Sequence, residues 1–402
     1  MVTRKARSLD ESPPKPEKKS SGRKPVQDDA SKFLAQLRAL DMKKHKIGED
    51  ESFGFFGKDG YDTPITEFIS TGCLAIDKHI GGTQGGWPIS RLSECASWES
   101  VGKSTLCDQS IAQAQRMGGI VALIDSERSR DARYTTKLGA NVDQIISKKA
   151  DCLEEVFDAT DSILDIQEKI VGEAQRANRQ APPLLILWDS LGGTPAKAEM
   201  DGAADDRHVG VHARVIKMNF RRITQRLAAL RAAFVFTNHF YQEIGPYGSL
   251  KTSGGSGIRY FASVRLWLFK KEEIKIGSQV IGHVVEAKTK KTRVHTPRMP
   301  TQAALLYGMG FDNSYTLFEW GKKHGIAVGH VWIIERGAWC WLMLPDGSHK
   351  AFQGGFLALG ELFKERPDVY EQFAASYLRE GEGIIDTTAE EEKPSEDEKE
   401  DE

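Results

Sequence analysis

The stretch SECASWESVGKSTL, residues 93–106, constrains the fold of this chain more than any other. An alternating segment, ISRLSECA (89–96), runs into it as a strand. KSTLCDQSIAQAQRMGG (103–119) leaves it as a helix closed by glycines. Gly102, Lys103 and Ser104 form the second half of the pattern Gly-x4-Gly-Lys-Ser/Thr, and Ser97 stands where the first glycine belongs. A strand, a tight loop and a helix in this order aim consecutive backbone N–H groups and a helix N-terminus at an anion. Those groups come mainly from Glu99 to Thr105, so a small residue is tolerated at position 97. On this reading Ser97, Trp98, Glu99, Ser100, Val101, Gly102, Lys103, Ser104 and Thr105 cradle nucleotide phosphates. Lys103 is placed for the β- and γ-phosphates and Ser104 for Mg²⁺.

The chain around this loop reads as α/β. GIVALID (119–125), PPLLILWDS (182–190) and RAAFVFTNHF (231–240) are buried strands separated by helical stretches. Strands alternating with helices imply βαβ units and a mostly parallel sheet. DDASKFLAQLRALDMKKHK (28–46) is a short amphipathic helix, with Phe33, Leu34, Leu37 and Leu40 near one face, and ESFGFFGKDG follows as a loop or short strand. AWCWLMLPDGSHKAF (338–352) is a hairpin around Pro345-Asp346-Gly347. There is no internal repeat.

With 402 residues, 40% hydrophobic and 28% charged, the composition is that of a soluble globular protein. No apolar run nears the roughly 18 residues a membrane span requires, and the N-terminus lacks a signal-peptide core. The five scattered cysteines contain no C-x-x-C pair, which suits reduced thiols in a cytoplasmic setting. Charge is segregated: residues 1–28 carry a net +4 and residues 386–402 a net −8. Both ends are poor in apolar residues and are expected to be disordered. The acidic tail serves either solubility or as an electrostatic decoy that competes with nucleic acid for a basic surface.

Two carboxylates sit where a parallel sheet places its ligands, at the carboxyl ends of strands. Asp189 ends LLILWDS, where it can hold the Mg²⁺ shell; by itself it also reads as a helix N-cap. Glu127 follows VALID, where it can polarise a water in line with a γ-phosphate, although an exposed loop acid reads the same way.

SWESVGKSTL, LIDSERSRDARYTTKLGANVD, WDSLGGTPAKAEMDG, FTNHF and GGSGIRYFASVRLWL occur in an order and spacing that resemble a RecA-type homologous recombinase. The likeness runs from ISTGCLAID (69–77) to AWCWLMLPDG (338–347). His239 at the switch position, in place of glutamine, is more similar to the phage-encoded branch; Ser97 and Trp188 are further departures. The resemblance implies a DNA-dependent ATPase using ATP and Mg²⁺, with Glu127 catalytic and Glu99 a second essential acid, although Glu99 reads equally as a helix N-terminal acid favoured by the dipole. Asp131 and Tyr134 match adenine-contacting positions. Residues 199–214 and 240–257 match two DNA-binding loops. Arg207, Arg214, Arg221, Tyr247, Lys251, Gly254 and Gly255 are the DNA candidates, Tyr247 as the residue inserted between base triplets. In the basic run EAKTKKTRVHTPR (286–298), a polar and flexible stretch, Lys288 and Lys290 match a pair that reaches a neighbouring subunit's γ-phosphate. Arg259 and Tyr260 match interface positions.

The implied organisation is a disordered basic N-terminus (1–28), an N-terminal helix and linker for subunit contact (29–63), a RecA-type ATPase core (64–309), a small α+β C-terminal domain (310–380) and a disordered acidic tail (381–402). The implied function is filament formation on single-stranded DNA, pairing with homologous double-stranded DNA and strand exchange. A loading mediator and single-strand-binding protein are the further partners expected. A ring-forming helicase of the same fold and a recombination mediator with an inactive ATP site are the alternatives. Intact Gly102, Lys103, Ser104, Glu127 and Asp189 weigh against the mediator.

Overall fold

The computed structural model describes residues 26–48, 52–53, 65–201, 210–243, 249–296, 299–323, 332–343 and 347–379. The two ends, most of ESFGFFGKDG, and Arg207, Tyr247, Pro345 and Asp346 therefore lie outside the described residues. The chain divides into Met1–Pro64 and Ile65–Glu402. In the first unit, helix α1 spans Val26–His45. Leu34 and Leu37 are half-buried there, whereas Phe33 and Leu40 are exposed.

The second unit is built on one ten-stranded sheet. Its strands are β1 (Leu92–Ser97), β2 (Ile120–Asp125), β3 (Ile145–Lys149), β4 (Leu184–Asp189), β5 (Ala232–Gln242), β6 (Leu250–Thr252), β7 (Val264–Ile276), β8 (Gln279–Thr292), β9 (Thr301–Leu306) and β10 (Gly310–Asp312). The order is β10-β9-β8-β7-β1-β5-β4-β2-β3, with β6 paired to β5. From β7 to β3 neighbouring strands are parallel, and from β7 to β10 they are antiparallel.

Side chains alternate across the parallel half, as the pleat requires. Leu187 and Val235 face helix α2 (Lys103–Arg116), whose Leu106 and Ile111 join the same core. Trp188, Phe234 and Phe236 face α3 (Leu153–Arg176) and α4 (Val211–Leu230) through Phe157, Leu164, Phe220 and Ile223. Coverage on both faces explains why β4 and β5 read as unbroken apolar runs. Trp188 is fully buried, 5.8 Å from the Phe157 ring, and its indole N–H donates to Thr194 Oγ1 at 3.3 Å.

The antiparallel half departs from the sequence reading. Residues 286–292 are not a flexible stretch: they are the end of β8, paired with β7 from Gln279↔Ile276 to Thr292↔Val264. Gly277 makes the turn at φ 58°, the positive sign that hairpin twist favours. Lys288 and Lys290 are thus two residues apart on a strand whose register shifts between Thr289 and Lys291, and their ammoniums lie over Phe269 and Trp267 of β7.

Beyond β10, helices α5 (Asn313–Lys323), α6 (Gly355–Glu365) and α7 (Pro367–Arg379) pack with a three-stranded antiparallel sheet. Leu317, Ile333, Leu342, Leu359, Phe363 and Phe373 form their shared core. The expected hairpin pairs Trp339–Met343 with His349–Gln353.

Candidate functional site

Strand β1 ends at Ser97, which is buried and in register with His239, three residues before the end of β5. The Ser97 hydroxyl donates to the Trp98 carbonyl at 2.6 Å. Glu99 and Ser100 are exposed at the crest of the loop. Gly102 caps α2 at φ 112°, and a Cβ there would stand 2.8 Å from Leu305 Cδ2. The positive φ therefore favours glycine, and a larger residue would also have to displace the Leu305 side chain. Lys103 is buried, with Nζ 3.2 Å from the Trp98 carbonyl and 3.5 Å from that of Ser97. Its ammonium folds back over the loop it follows.

Ser104 donates its hydroxyl to Asp189 Oδ2 at 2.8 Å, closing the first turn of α2 onto the end of β4. Asp189 is almost fully buried and also accepts from the Thr237 hydroxyl on β5 and from Arg130 Nη2 at 3.0 Å. Glu127 lies at the mouth of the same site. It accepts from the Ser190 hydroxyl and from His239 Nε2, the latter at 2.9 Å. The His239 contact, joined by that of Ser190, holds the Glu127 carboxyl down at about 2 against the opposing effect of burial.

Two hard oxygen donors, a serine hydroxyl and a carboxylate, fit Mg²⁺, which keeps few protein ligands and takes the rest from phosphates and water. Among the described residues there is no cluster of three or more His, Cys, Asp or Glu that could hold a metal alone.

The remaining candidates distribute as follows. Tyr134 is half-buried and its hydroxyl is 3.3 Å from Thr105 Oγ1, beside the loop. Asp131 caps the helix Ala132–Lys137 by accepting from the Arg133 N–H. Arg214 and Arg221 are both exposed on α4, seven residues and two turns apart, on one face. Lys251 is paired with Glu243, and Gly254 and Gly255 lead into the helix Ser256–Phe261.

Lys288 and Lys290 have no hydrogen bond or ion pair with the loop of their own chain among the described residues. Lys288 pairs with Glu286 at 2.7 Å and lies 5.3 Å over the Phe269 ring; Lys290 lies 4.7 Å over Trp267. An aromatic row, Trp98–Phe240–Trp267, runs from the loop towards them with centroid spacings of 5.7 and 4.8 Å. Lys291 donates to the Arg259 and Tyr260 carbonyls, and burial together with Arg293 and Arg265 lowers its ammonium to about 8.

Several residues of the site escaped the sequence reading. Thr237 and Asn238 interrupt an apolar strand end, a signal that was available. Asn238 Nδ2 donates to Glu94 at 2.9 Å, and Glu94, fully buried within β1, also pairs with Arg265 at 2.5 Å. Arg130 lies in the charged run SERSRDAR, where nothing local distinguishes it from a solvated residue.

A family model described as the RecA N-terminal domain matches residues 38–312. The chain is 30% identical over 373 residues to Protein RecA of Thermotoga petrophila, covering 92% of this chain and 98% of the relative. It is 31% identical over 349 residues to Protein RecA of Thermotoga neapolitana, covering 85% and 93%. A third relative, Protein RecA of Teredinibacter turnerae, is 31% identical over 313 residues, covering 77% and 84%.

The Glu127 geometry predicts an acid dependence. A carboxyl lowered in the folded state stabilises the fold above its unfolded value near 4.5, and that contribution is lost as pH falls towards about 2. Urea unfolding followed from pH 6 to pH 2.5 should show a smaller acid loss for Glu127→Gln than for the parent. Identical losses would mean that the His239 contact does not hold the carboxylate in solution.

Proposed function

The chain belongs to the RecA family, whose function is ATP-dependent recombination and repair, and we propose that it forms a helical filament on single-stranded DNA, pairs it with homologous duplex and exchanges strands. ATP and water give ADP and phosphate in the course of that cycle. The observation that carries this reading is the joint placement of Lys103, Ser104, Asp189 and Glu127 at one sheet edge, with His239 touching Glu127 at 2.9 Å. His239 directly precedes residues 240–257, the second candidate DNA loop, so the nucleotide site and that loop share one strand.

In this mechanism the backbone N–H groups of 99–105 and the Lys103 ammonium hold the phosphates. Ser104 and Asp189 would hold Mg²⁺, which neutralises charge building on the transferring phosphoryl group. Glu127, an anion throughout the neutral range, orients the attacking water rather than taking its proton early. His239 leaves Glu127 when the γ-phosphate offers it a better acceptor, and its movement passes along β5 to 240–257. Arg214 and Arg221 meet DNA phosphates from α4, together with Lys251 once it leaves Glu243. By the resemblance Arg207 and Tyr247 are further DNA candidates, and both lie outside the described residues.

The site is completed between subunits. Lys288 and Lys290 rest on aromatic rings in the isolated chain, and a neighbour's γ-phosphate is the anion they would reach in a filament. A cation arriving in trans contributes on the order of 10³–10⁵ in rate. The protein acts in the cytoplasm, and no described helix is long and apolar enough to cross a membrane.

Electron microscopy of the chain with single-stranded DNA and a slowly hydrolysed ATP analogue tests the assembly directly. An open helical filament is expected; closed rings or bare DNA would refute it. Completion in trans is tested by mixing. Subunits carrying Lys288→Ala and Lys290→Ala, combined on DNA with Lys103→Ala subunits, should recover ATPase activity that neither has alone. Mixed filaments without recovery would place the two lysines elsewhere.

A further inference from the structure

One cation in the nucleotide site has no assigned part. Arg130 follows Glu127 in the loop after β2, and its side chain is only 9% exposed. The guanidinium is shared by two carboxylates. Nη2 donates to Asp189 Oδ2 at 3.0 Å, and Nη1 forms an ion pair with Asp108. Asp108 is itself 6% exposed, lies one turn after Ser104 on α2, and accepts from Thr135 Oγ1 at 3.1 Å. Among the described residues Arg130 Nε and Nη1 and Asp108 Oδ1 have no hydrogen-bond partner, so Nη1 and Oδ1 meet as an ion pair alone.

A structural ion pair needs one acid. Asp108 alone would satisfy Arg130, because a buried guanidinium requires a countercharge and an anchored carboxylate provides it. Instead the fork reaches past Asp108 to the carboxylate that faces the phosphates. Arginine remains charged at any pH the protein meets. Asp189 is therefore compensated before any other cation reaches it, and the pocket bounded by Asp108, Arg130 and Asp189 carries one net negative charge rather than two. Its Oδ2 already accepts from Ser104 and Arg130, and its Oδ1 from Thr237.

We infer that Arg130 is a positioning residue for Asp189: a resident countercharge that fixes the carboxylate against Ser104 and sets how much Mg²⁺ the site demands before it holds nucleotide. The inference rests on reading this edge of the sheet as the Mg²⁺–nucleotide site. A fixed positive charge beside Asp189 repels an arriving divalent cation. The nucleotide phosphates must then supply most of the attraction, and Mg²⁺ without nucleotide finds little to bind.

The test uses the full chain and a fluorescent ADP. In the parent, Mg²⁺ is titrated to find the concentration that half-saturates nucleotide binding. Arg130→Gln removes the cation alone and leaves Asp108 and Asp189 with two net negative charges, whereas Arg130→Leu with Asp108→Leu keeps one. The half-saturating Mg²⁺ concentration should fall at least about five-fold in Arg130→Gln, well within what Coulomb attraction permits at an effective dielectric of about 20, and stay within about two-fold of the parent in the double variant. Arg130→Lys keeps the charge but not the fork, so it should stay within about two-fold of the parent in Mg²⁺ while losing thermal stability. An unchanged or raised Mg²⁺ requirement in Arg130→Gln, with a cooperative melt, would reduce Arg130 to a structural ion pair and overturn the inference.

The parent alone supplies a second reading that needs no variant to fold. At matched ionic strength, millimolar MgCl₂ without nucleotide should leave its Tm unmoved, whereas ADP with MgCl₂ raises it. A rise with MgCl₂ alone would overturn the inference. Failure of the parent to bind ADP under any Mg²⁺ concentration would instead sink the reading of the site itself.

Discussion

In the proposed mechanism the contact between His239 Nε2 and Glu127 Oε1, 2.9 Å long, is where nucleotide and DNA are linked. Glu127 belongs to the nucleotide side: it follows β2 and stands at the carboxyl edge of the sheet. His239 belongs to the side that leads to residues 240–257. A hydrogen bond to a carboxylate is stronger than one between neutral groups and correspondingly specific in direction. While it is made, Glu127 is kept ionised but turned to a protein partner rather than to water. The resting site is thus assembled and restrained at once.

The rest of the architecture makes that contact possible. Strands β1 and β5 are parallel neighbours, so Ser97, where the candidate phosphate loop begins, lies beside His239, the proposed switch residue. Strand β4 lies on the other side of β5 and carries Asp189 and then Ser190, which binds Glu127 beside His239. Ser104, Thr237 and Arg130 all close on Asp189. Helix α2, the loop after β2, and strands β4 and β5 are thereby tied at one carboxylate. Losing any one tie leaves a buried charge short of a partner, which is costly.

How much of this was legible in the sequence follows from the range of the interactions involved. The phosphate loop is local: a strand, a glycine with positive φ and a helix start are written in about a dozen consecutive residues. The buried parallel strands are also local, as apolar runs ending in Asp189 and His239. The end of β8 misled because its outward positions, Glu286, Lys288 and Lys290, are charged. Val285 and Ala287, flanking Glu286, face the core, and that two-residue period was the available signal. Arg130 and Asp108 could not be paired from sequence, because neither the helix face nor the loop path that brings them together is encoded near either residue.

The central proposal is that His239 couples Glu127 to residues 240–257, so that its release of Glu127 on meeting the γ-phosphate and the engagement of DNA at that loop favour one another. Steady-state ATP turnover of His239→Ala, measured with and without single-stranded DNA, tests this most directly. The account predicts that the ratio of the two rates falls towards one, whichever way the DNA-free rate moves, because the link between loop and carboxylate is gone. A variant that keeps the parent's full stimulation by DNA would contradict it.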